Sequence, residues 1–202
     1  MLSVGIGGNI GSGKTTVTKE LIKLYRKDGI KVKLIDADTI AWELYKRESG
    51  SKMYKNIVKA FGNDILDKKN EINRKKLGEL VFSDKKMLAK LNKIVHPELV
   101  SQIKAELSKT DLKVKILDAA LLFFWGRKIP VTYRILVTAP DKQKVARMIK
   151  RGYNTIEVKT RLKQQMKESE MEKRADFFNK NNSTLNHLKK QVKLLYLILK
   201  GL

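Results

Sequence analysis

A chain of 202 residues is long enough for one compact domain with a substantial core and room for inserted subdomains. It contains no cysteine, which excludes a disulfide framework and a thiolate zinc site. Forty-four Lys and Arg stand against 21 Asp and Glu, a formal net charge of +23, which concentrates polyanions: nucleic acid, or a substrate with several phosphates. Most of these lysines are expected to be solvated surface, and no lysine–aromatic interleaving of the base-stacking kind accompanies them. The amino terminus enters a strand without a charged segment and apolar run, so no secretory signal is expected. The late apolar segment "VKLLYLILKGL" is broken by lysine and too short to span a bilayer. The expectation is a soluble, cytoplasmic protein with no membrane partner.

In chain order, "LSVGI" reads as a short buried strand. It leads into "GGNIGSGKTT", which contains G-x-x-x-x-G-K-[ST] as Gly8 to Thr15. Glycines let backbone N–H groups turn inward around phosphate oxygens, and the following helix puts its N-terminal dipole behind them. In such a loop Lys14 reaches the β and γ phosphates and the Thr15 hydroxyl ligates Mg²⁺. Val17, Leu21, Leu24 and Tyr25 then fall on one face of a helix that Gly29 is placed to end. "KVKLID", Lys31 to Asp36, is a second strand with a carboxylate at its carboxyl end. Asp36-Ala37-Asp38 follows. On an extended segment both carboxylates point the same way, suited to orient a hydroxyl nucleophile and take its proton. Asp38 has an ordinary alternative as the N-cap of the helix starting "TIAWELY".

Residues from about Ser49 to Asp111 form a long, mostly helical excursion. In it Arg74 is one charge among many, and His96 before Pro97 reads as a turn or core feature, with a metal role unsupported. "KVKILD", Lys113 to Asp118, and "YRILVTAP", Tyr133 to Pro140, are further strands. The apolar "LLFFWG" between them reads as core. Strands alternating with helices predict a parallel sheet covered on both faces, with ligands beyond the strands' carboxyl ends. Asp36 and Asp118 are therefore expected near the phosphate loop. A basic helical stretch, about Arg147 to Ala175, comes next. Arg147 and Arg151, spaced i and i+4, would share a helix face, either solvated or suited to phosphate oxygens. The last helix, with Val192, Leu195, Tyr196 and Leu199 on one face, is expected to dock and to end at Gly201.

These segments together resemble the dephospho-CoA kinases. The shared pattern comprises "GGNIGSGKTT", "DADTIA", "INRKKLGELVF", "LNKIVHPEL", "LDAALLF", "KVARMIKRG" and "RLKQQM…KRADFFNKN", in this order. The phosphate loop alone is common to many families; the rest of the series is much more specific. The resemblance implies a three-layer α/β P-loop NTPase fold with a parallel five-stranded sheet. Its core would be residues 1–48, 112–146 and 176–202, with an acceptor-binding helical insertion at 49–111 and a lid at 147–175. It implies that ATP, with Mg²⁺, phosphorylates the ribose 3′-hydroxyl of dephospho-CoA. In that reading Asp38 is the general base, and Gly11, Ser12, Gly13, Lys14, Thr15 and Thr16 are the ATP phosphate loop. Arg74 and His96 lie on the acceptor side, to which Asp118 is added from its place at the end of its strand. Arg147 is a lid arginine, and Asn181 completes the nucleotide-base pocket. The chain departs from the family at Gly7, where Thr is usual, at Ala120 and Phe124, where Pro and Glu are usual, and at Arg151-Gly152, often Arg-Asp. Two other readings stand beside it: a P-loop kinase for a nucleoside or nucleotide, and a nucleic-acid-associated P-loop NTPase. No specific nucleic-acid partner is expected from the kinase reading.

Overall fold

The computed structural model describes residues 1–46, 52–110 and 112–202. The expected ends of the helical excursion, Ser49 and Asp111, lie outside the described residues. In chain order the elements are β1 (Leu2–Gly7), α1 (Lys14–Lys27), β2 (Val32–Asp36), α2 (Ala37–Tyr45), α3 (Lys52–Phe61), α4 (Arg74–Ser83), α5 (Lys85–Ser108), β3 (Val114–Asp118), α6 (Leu122–Trp125), β4 (Tyr133–Thr138), α7 (Asp141–Ile149), α8 (Thr155–Gln164), α9 (Glu168–Glu172), β5 (Phe177–Lys180) and α10 (Leu185–Gly201). They form two compact units, Met1–Asp36 with Glu106–Leu202, and Ala37–Ala105.

The first unit is built on one sheet with strand order β2-β3-β1-β4-β5, every pairing parallel. Parallel neighbours cannot be joined by a tight turn, so each return crosses a face of the sheet as helix. Strand side chains alternate between faces. Val4, Ile6, Ile116, Ile135 and Val137 share a core with Val17, Leu21 and Tyr25 of α1 and with Leu188, Val192, Leu195, Tyr196 and Leu199 of α10. Leu24, expected on the same stripe, is partly buried against it. The other face packs on α6, and there β1 supplies Ser3, bonded to Thr132, and then only glycine toward α6. A Cβ on Gly5 would stand 2.8 Å from Leu122, and one on Gly7 2.6 Å from the Phe123 ring. At Gly7 the ring thus lies directly on the strand backbone. Leu122, Phe123 and Trp125 are buried, as expected for core, whereas Phe124 is exposed. The result is the predicted three-layer α/β fold with five parallel strands.

α10 is fastened at its far end to the end of α1. The Tyr196 hydroxyl donates to Asp28 Oδ2 at 2.6 Å, and Lys200 Nζ reaches the same oxygen at 2.5 Å. Hydrogen bonding to Lys200, then to Tyr196, holds the Asp28 carboxyl below the usual carboxylate range. The helix ends at Gly201 as expected.

Lys115, the second residue of β3, is fully buried. Its ammonium donates to the carbonyls of Glu106 and Leu107, each at 3.0 Å, and to that of Lys109. These carbonyls belong to the last turn of α5 and the residues just after it. That turn carries orphan acceptors and the negative end of the helix dipole, so a cation is the fitting cap. Lys115→Met, which keeps the apolar stem and removes the charge, is expected to destabilise the fold by about 1–3 kcal/mol, the cost of leaving buried acceptors without their donor. A urea midpoint equal to that of the parent chain would show that the ammonium adds nothing net.

The second unit is helical. α5 buries Leu91, Val95, Leu99 and Ile103, one residue per turn, and Met53, Ile57, Ile65, Ile72, Leu77 and Val81 are also buried in this unit. Two local expectations are corrected here. His96 and Pro97 lie inside α5, which removes the turn alternative and leaves His96 a half-buried helix residue. Pro97 is on an exposed side of the helix, where water can take the carbonyl that its missing N–H leaves unpaired. Nor is Asp38 the N-cap: α2 starts at Ala37, which puts Asp38 within the first helical turn and ends the extended segment at Asp36. The two-residue alternation invoked for Asp36 and Asp38 therefore does not apply.

Candidate active site

β1 delivers the chain into the loop, and α1 begins at Lys14, so the residues between them form a strand–loop–helix corner. Gly13 occupies the position before the helix at φ +101°, and a Cβ there would stand 2.2 Å from Asn181 Nδ2. Only glycine fits both the backbone and the space. The carbonyls of the loop are gathered by side-chain donors. Asn181 Nδ2 donates to Ser12 O at 2.8 Å. The Arg147 guanidinium donates to Gly11 O at 3.1 Å, to Ser12 O at 3.3 Å and to Asn181 O at 3.0 Å, and Gln143 Oε1 accepts from it at 2.9 Å. Lys14 Nζ donates to Gly8 O at 2.7 Å and Asn9 O at 3.3 Å. Where Arg147 and Asn181 hold the Gly11 and Ser12 carbonyls, the same peptide groups turn their N–H groups the other way, which is what an anion nest requires. The amino end of α1 adds its positive dipole end to the same place.

A second layer of polar contacts ties this loop to the segment around α8 and α9. Ile10 N donates to Gln165 Oε1 at 2.9 Å, and Asn9 Nδ2 donates to Met166 O at 3.4 Å. Beneath the loop Lys144 is buried, with Asp141 at 2.8 Å and Glu168 at 2.5 Å neutralising its ammonium. A cavity of about 840 Å³ beside Asn9 is lined by Lys142, Lys159, Lys163 and Lys167 among others, so its rim is strongly basic.

Asp36 and Asp118 are brought to the loop's side as expected. They are paired across β2 and β3, and Asp118 is also in register with Ile6, two residues before Gly8. The Thr18 hydroxyl donates to Asp118 Oδ2 at 3.0 Å. Thr15 is exposed at the start of α1. Together these are hard oxygen donors, the chemistry that suits Mg²⁺. Among the described residues no three His, Cys, Asp or Glu side chains form a metal cage.

Arg147 and Arg151 do not share a helix face. α7 ends at Ile149, and Tyr153 N returns to Met148 O at 3.2 Å with Gly152 at φ +89°, a left-handed helix stop. Arg147 is braced on the loop. Burial, and after it the charge of Arg151, lowers its pKa from the usual arginine value. In the helical unit, Asp38 is exposed and Arg74 opens α4 with its guanidinium 3.8 Å from the centre of the Trp42 ring. Tyr45 lies in reach of both. Its hydroxyl is pushed up to about 12 by burial, with Arg74 opposing the shift and Asp38 adding to it. His96 is half-buried in α5. Sequence reasoning missed Gln143 and Trp42, which had no motif to mark them. Gln165 lies within the shared segment "RLKQQM", where nothing in the sequence singles it out from Gln164.

With this geometry in hand, comparison with known proteins is decisive. A family model described as dephospho-CoA kinase matches residues 2–187. The chain belongs to the dephospho-CoA kinase family. Relatives named dephospho-CoA kinase include one from Aquifex aeolicus, 36% identical over 97% of this chain and 96% of its own, and one from Fusobacterium nucleatum, 38% identical over 95% of each. Among solved structures, TT1252 from Thermus thermophilus matches with a TM-score of 0.74 and 31% identity, covering 98% of this chain and 97% of that one. The departures at Gly7, Ala120 and Phe124 leave the chain within the dephospho-CoA kinase family. Membership favours the kinase over the two other readings, a nucleoside or nucleotide kinase and a nucleic-acid-associated NTPase.

Proposed function

We propose that this chain transfers the terminal phosphoryl group of ATP to the ribose 3′-hydroxyl of dephospho-CoA, giving coenzyme A and ADP. The observation that carries this reading is the family match over nearly the whole chain, joined to a phosphate loop whose Gly11 and Ser12 carbonyls are held by Arg147 and Asn181. Gly11, Ser12, Gly13, Lys14, Thr15 and Thr16 hold the triphosphate by N–H groups and the Lys14 ammonium. Asn181, tied to Ser12, borders the nucleotide on the side of the base. Arg147 keeps the loop in shape and adds positive charge beside it. Asp38 accepts the proton of the 3′-hydroxyl as its oxygen bonds to phosphorus and the bond from the γ-phosphorus to the bridging oxygen breaks. Lys14 then faces the charge that grows on the leaving β-phosphate. Arg74, His96 and Asp118 serve the acceptor, the first two from the helical insertion of residues 49–111. The stretch 147–175 is the lid. Thr15, with the carboxylates Asp36 and Asp118 near it, would hold Mg²⁺, which when bound neutralises phosphate charge. No helix among the described residues is long and apolar enough to cross a membrane, and the cytoplasm is the proposed compartment.

The test is mass spectrometry of the products made from ATP, Mg²⁺ and dephospho-CoA, with shikimate, adenosine and nucleoside monophosphates as competing acceptors. The expected outcome is one phosphoryl group added to dephospho-CoA alone, at the 3′ position. ATP hydrolysis that DNA or RNA stimulates, with no phosphorylated CoA, would overturn the proposal.

A further inference from the structure

The helical unit contains an arrangement that the phosphate-transfer chemistry does not by itself demand. The Arg74 guanidinium lies on the face of Trp42, 3.8 Å from the ring centre. Tyr45 packs edge-on against the same indole, with ring centroids 6.0 Å apart at 65°. Trp42 and Tyr45 are one turn apart on α2, and Asp38 is one turn before Trp42. One helix face therefore presents a carboxylate, an indole and a phenol in succession, with Arg74 brought to it from the start of α4. Among the described residues Arg74 meets this indole and no carboxylate.

A guanidinium is planar, and all its N–H donors point outward from its edge. Stacking uses the face and leaves the edge open. It also restrains a long side chain that would otherwise lose rotamer entropy on binding. Tyr45 does not compete for the cation, because burial keeps its hydroxyl neutral with a pKa of about 12. We propose that Trp42 is a positioning residue for the acceptor: its indole is the shelf that holds Arg74 flat and edge-outward to take the pyrophosphate of dephospho-CoA. This rests on the acceptor-side role proposed above for Arg74. Trp42 itself touches no reacting atom; it acts through Arg74, and so on binding of the acceptor more than on the chemical step.

Initial rates at saturating ATP, with dephospho-CoA varied, test this in Trp42→Leu, Trp42→Phe, Arg74→Ala and the double variant Trp42→Leu/Arg74→Ala. Trp42→Leu is expected to raise the acceptor KM by about 2- to 30-fold, the span of cation–π energies, with a smaller change in kcat and none in the KM for ATP. Trp42→Phe keeps an aromatic face and should recover much of the loss. In the Arg74→Ala background, Trp42→Leu should add little, because the residue it serves is gone. An equal rise in acceptor KM with and without Arg74 would overturn the shelf, as would a Phe variant no better than Leu. If Arg74→Ala leaves the acceptor KM unchanged, the acceptor role of Arg74 fails and the shelf with it. If Arg74→Ala raises that KM while Trp42→Leu does not, the shelf alone fails.

Discussion

Lys14→Ala is expected to leave the chain folded and to remove phosphoryl transfer. Lys14 is the first residue of α1 and only half-buried, and alanine is the best helix former, so the helix loses nothing in propensity. The ammonium is what matters. It spans the loop from Gly8 O to Asn9 O, at the place where a triphosphate's β and γ oxygens would meet it in the proposed reaction. A preorganised donor aimed at developing charge is worth about 10²–10³ in rate, and alanine offers no substitute. The measurement is kcat on a variant whose melting temperature stays within about 4 °C of the parent, roughly the shift for 1 kcal/mol in a chain of this size. A folded variant that keeps more than about a tenth of the parent activity has lost under 1.4 kcal/mol of transition-state stabilisation, and the loop would not be doing this chemistry.

Asp38→Asn is expected to slow the chemical step by about 10²–10⁴-fold, with ATP affinity little altered. The amide preserves shape but cannot accept the proton of the 3′-hydroxyl. Because Asp38 sits in the first turn of α2, the substitution also removes a favourable charge–dipole contact there, about 0.3–1 kcal/mol of stability. That cost is too small to explain a thousandfold loss in rate, so the two effects separate cleanly. Single-turnover rates near those of the parent would take the role of base away from Asp38. Asp36, the last residue of β2, would be the next residue to substitute.

What could be read from the chain alone was whatever is local. The phosphate loop, α1 and the strand-ending carboxylates Asp36 and Asp118 depend on spacings within a few residues, and the residue pattern marked them. β5 was not marked by its own residues. It is four residues long, with Asn179 buried and Phe178 exposed, and it is a strand because β4 offers an edge to pair with. Arg151 was misplaced because the helix stop at Gly152 was not taken into account. Among 44 basic residues nothing in the sequence distinguishes Lys115 and Lys144, yet both are buried. Their burial depends on partners from other elements: the α5 carbonyls for Lys115, and Glu168, beside Asp141 of its own helix, for Lys144. The same holds for Gln165 on Ile10 and for Arg74 on Trp42, contacts made only once the chain has folded.

The strand order also dictates when the phosphate loop can exist. β1 lies at the centre of the sheet, yet its two neighbours begin only at Val114 and Tyr133. At a synthesis rate of about 5–20 residues per second, the wait between β1 and its first partner is on the order of 10 s. During that time Val4 and Ile6 have no sheet to join, and α1, if it forms, has an apolar face with nothing beneath it. α10, which covers that face, is made last, starting at Leu185. The donors that shape the loop, Arg147 and Asn181, are late as well. A nascent chain stopped before them holds the nucleotide-binding motif as sequence without its structure, and exposes the stripe of Val17, Leu21 and Tyr25 to whatever chaperone or neighbouring chain is at hand.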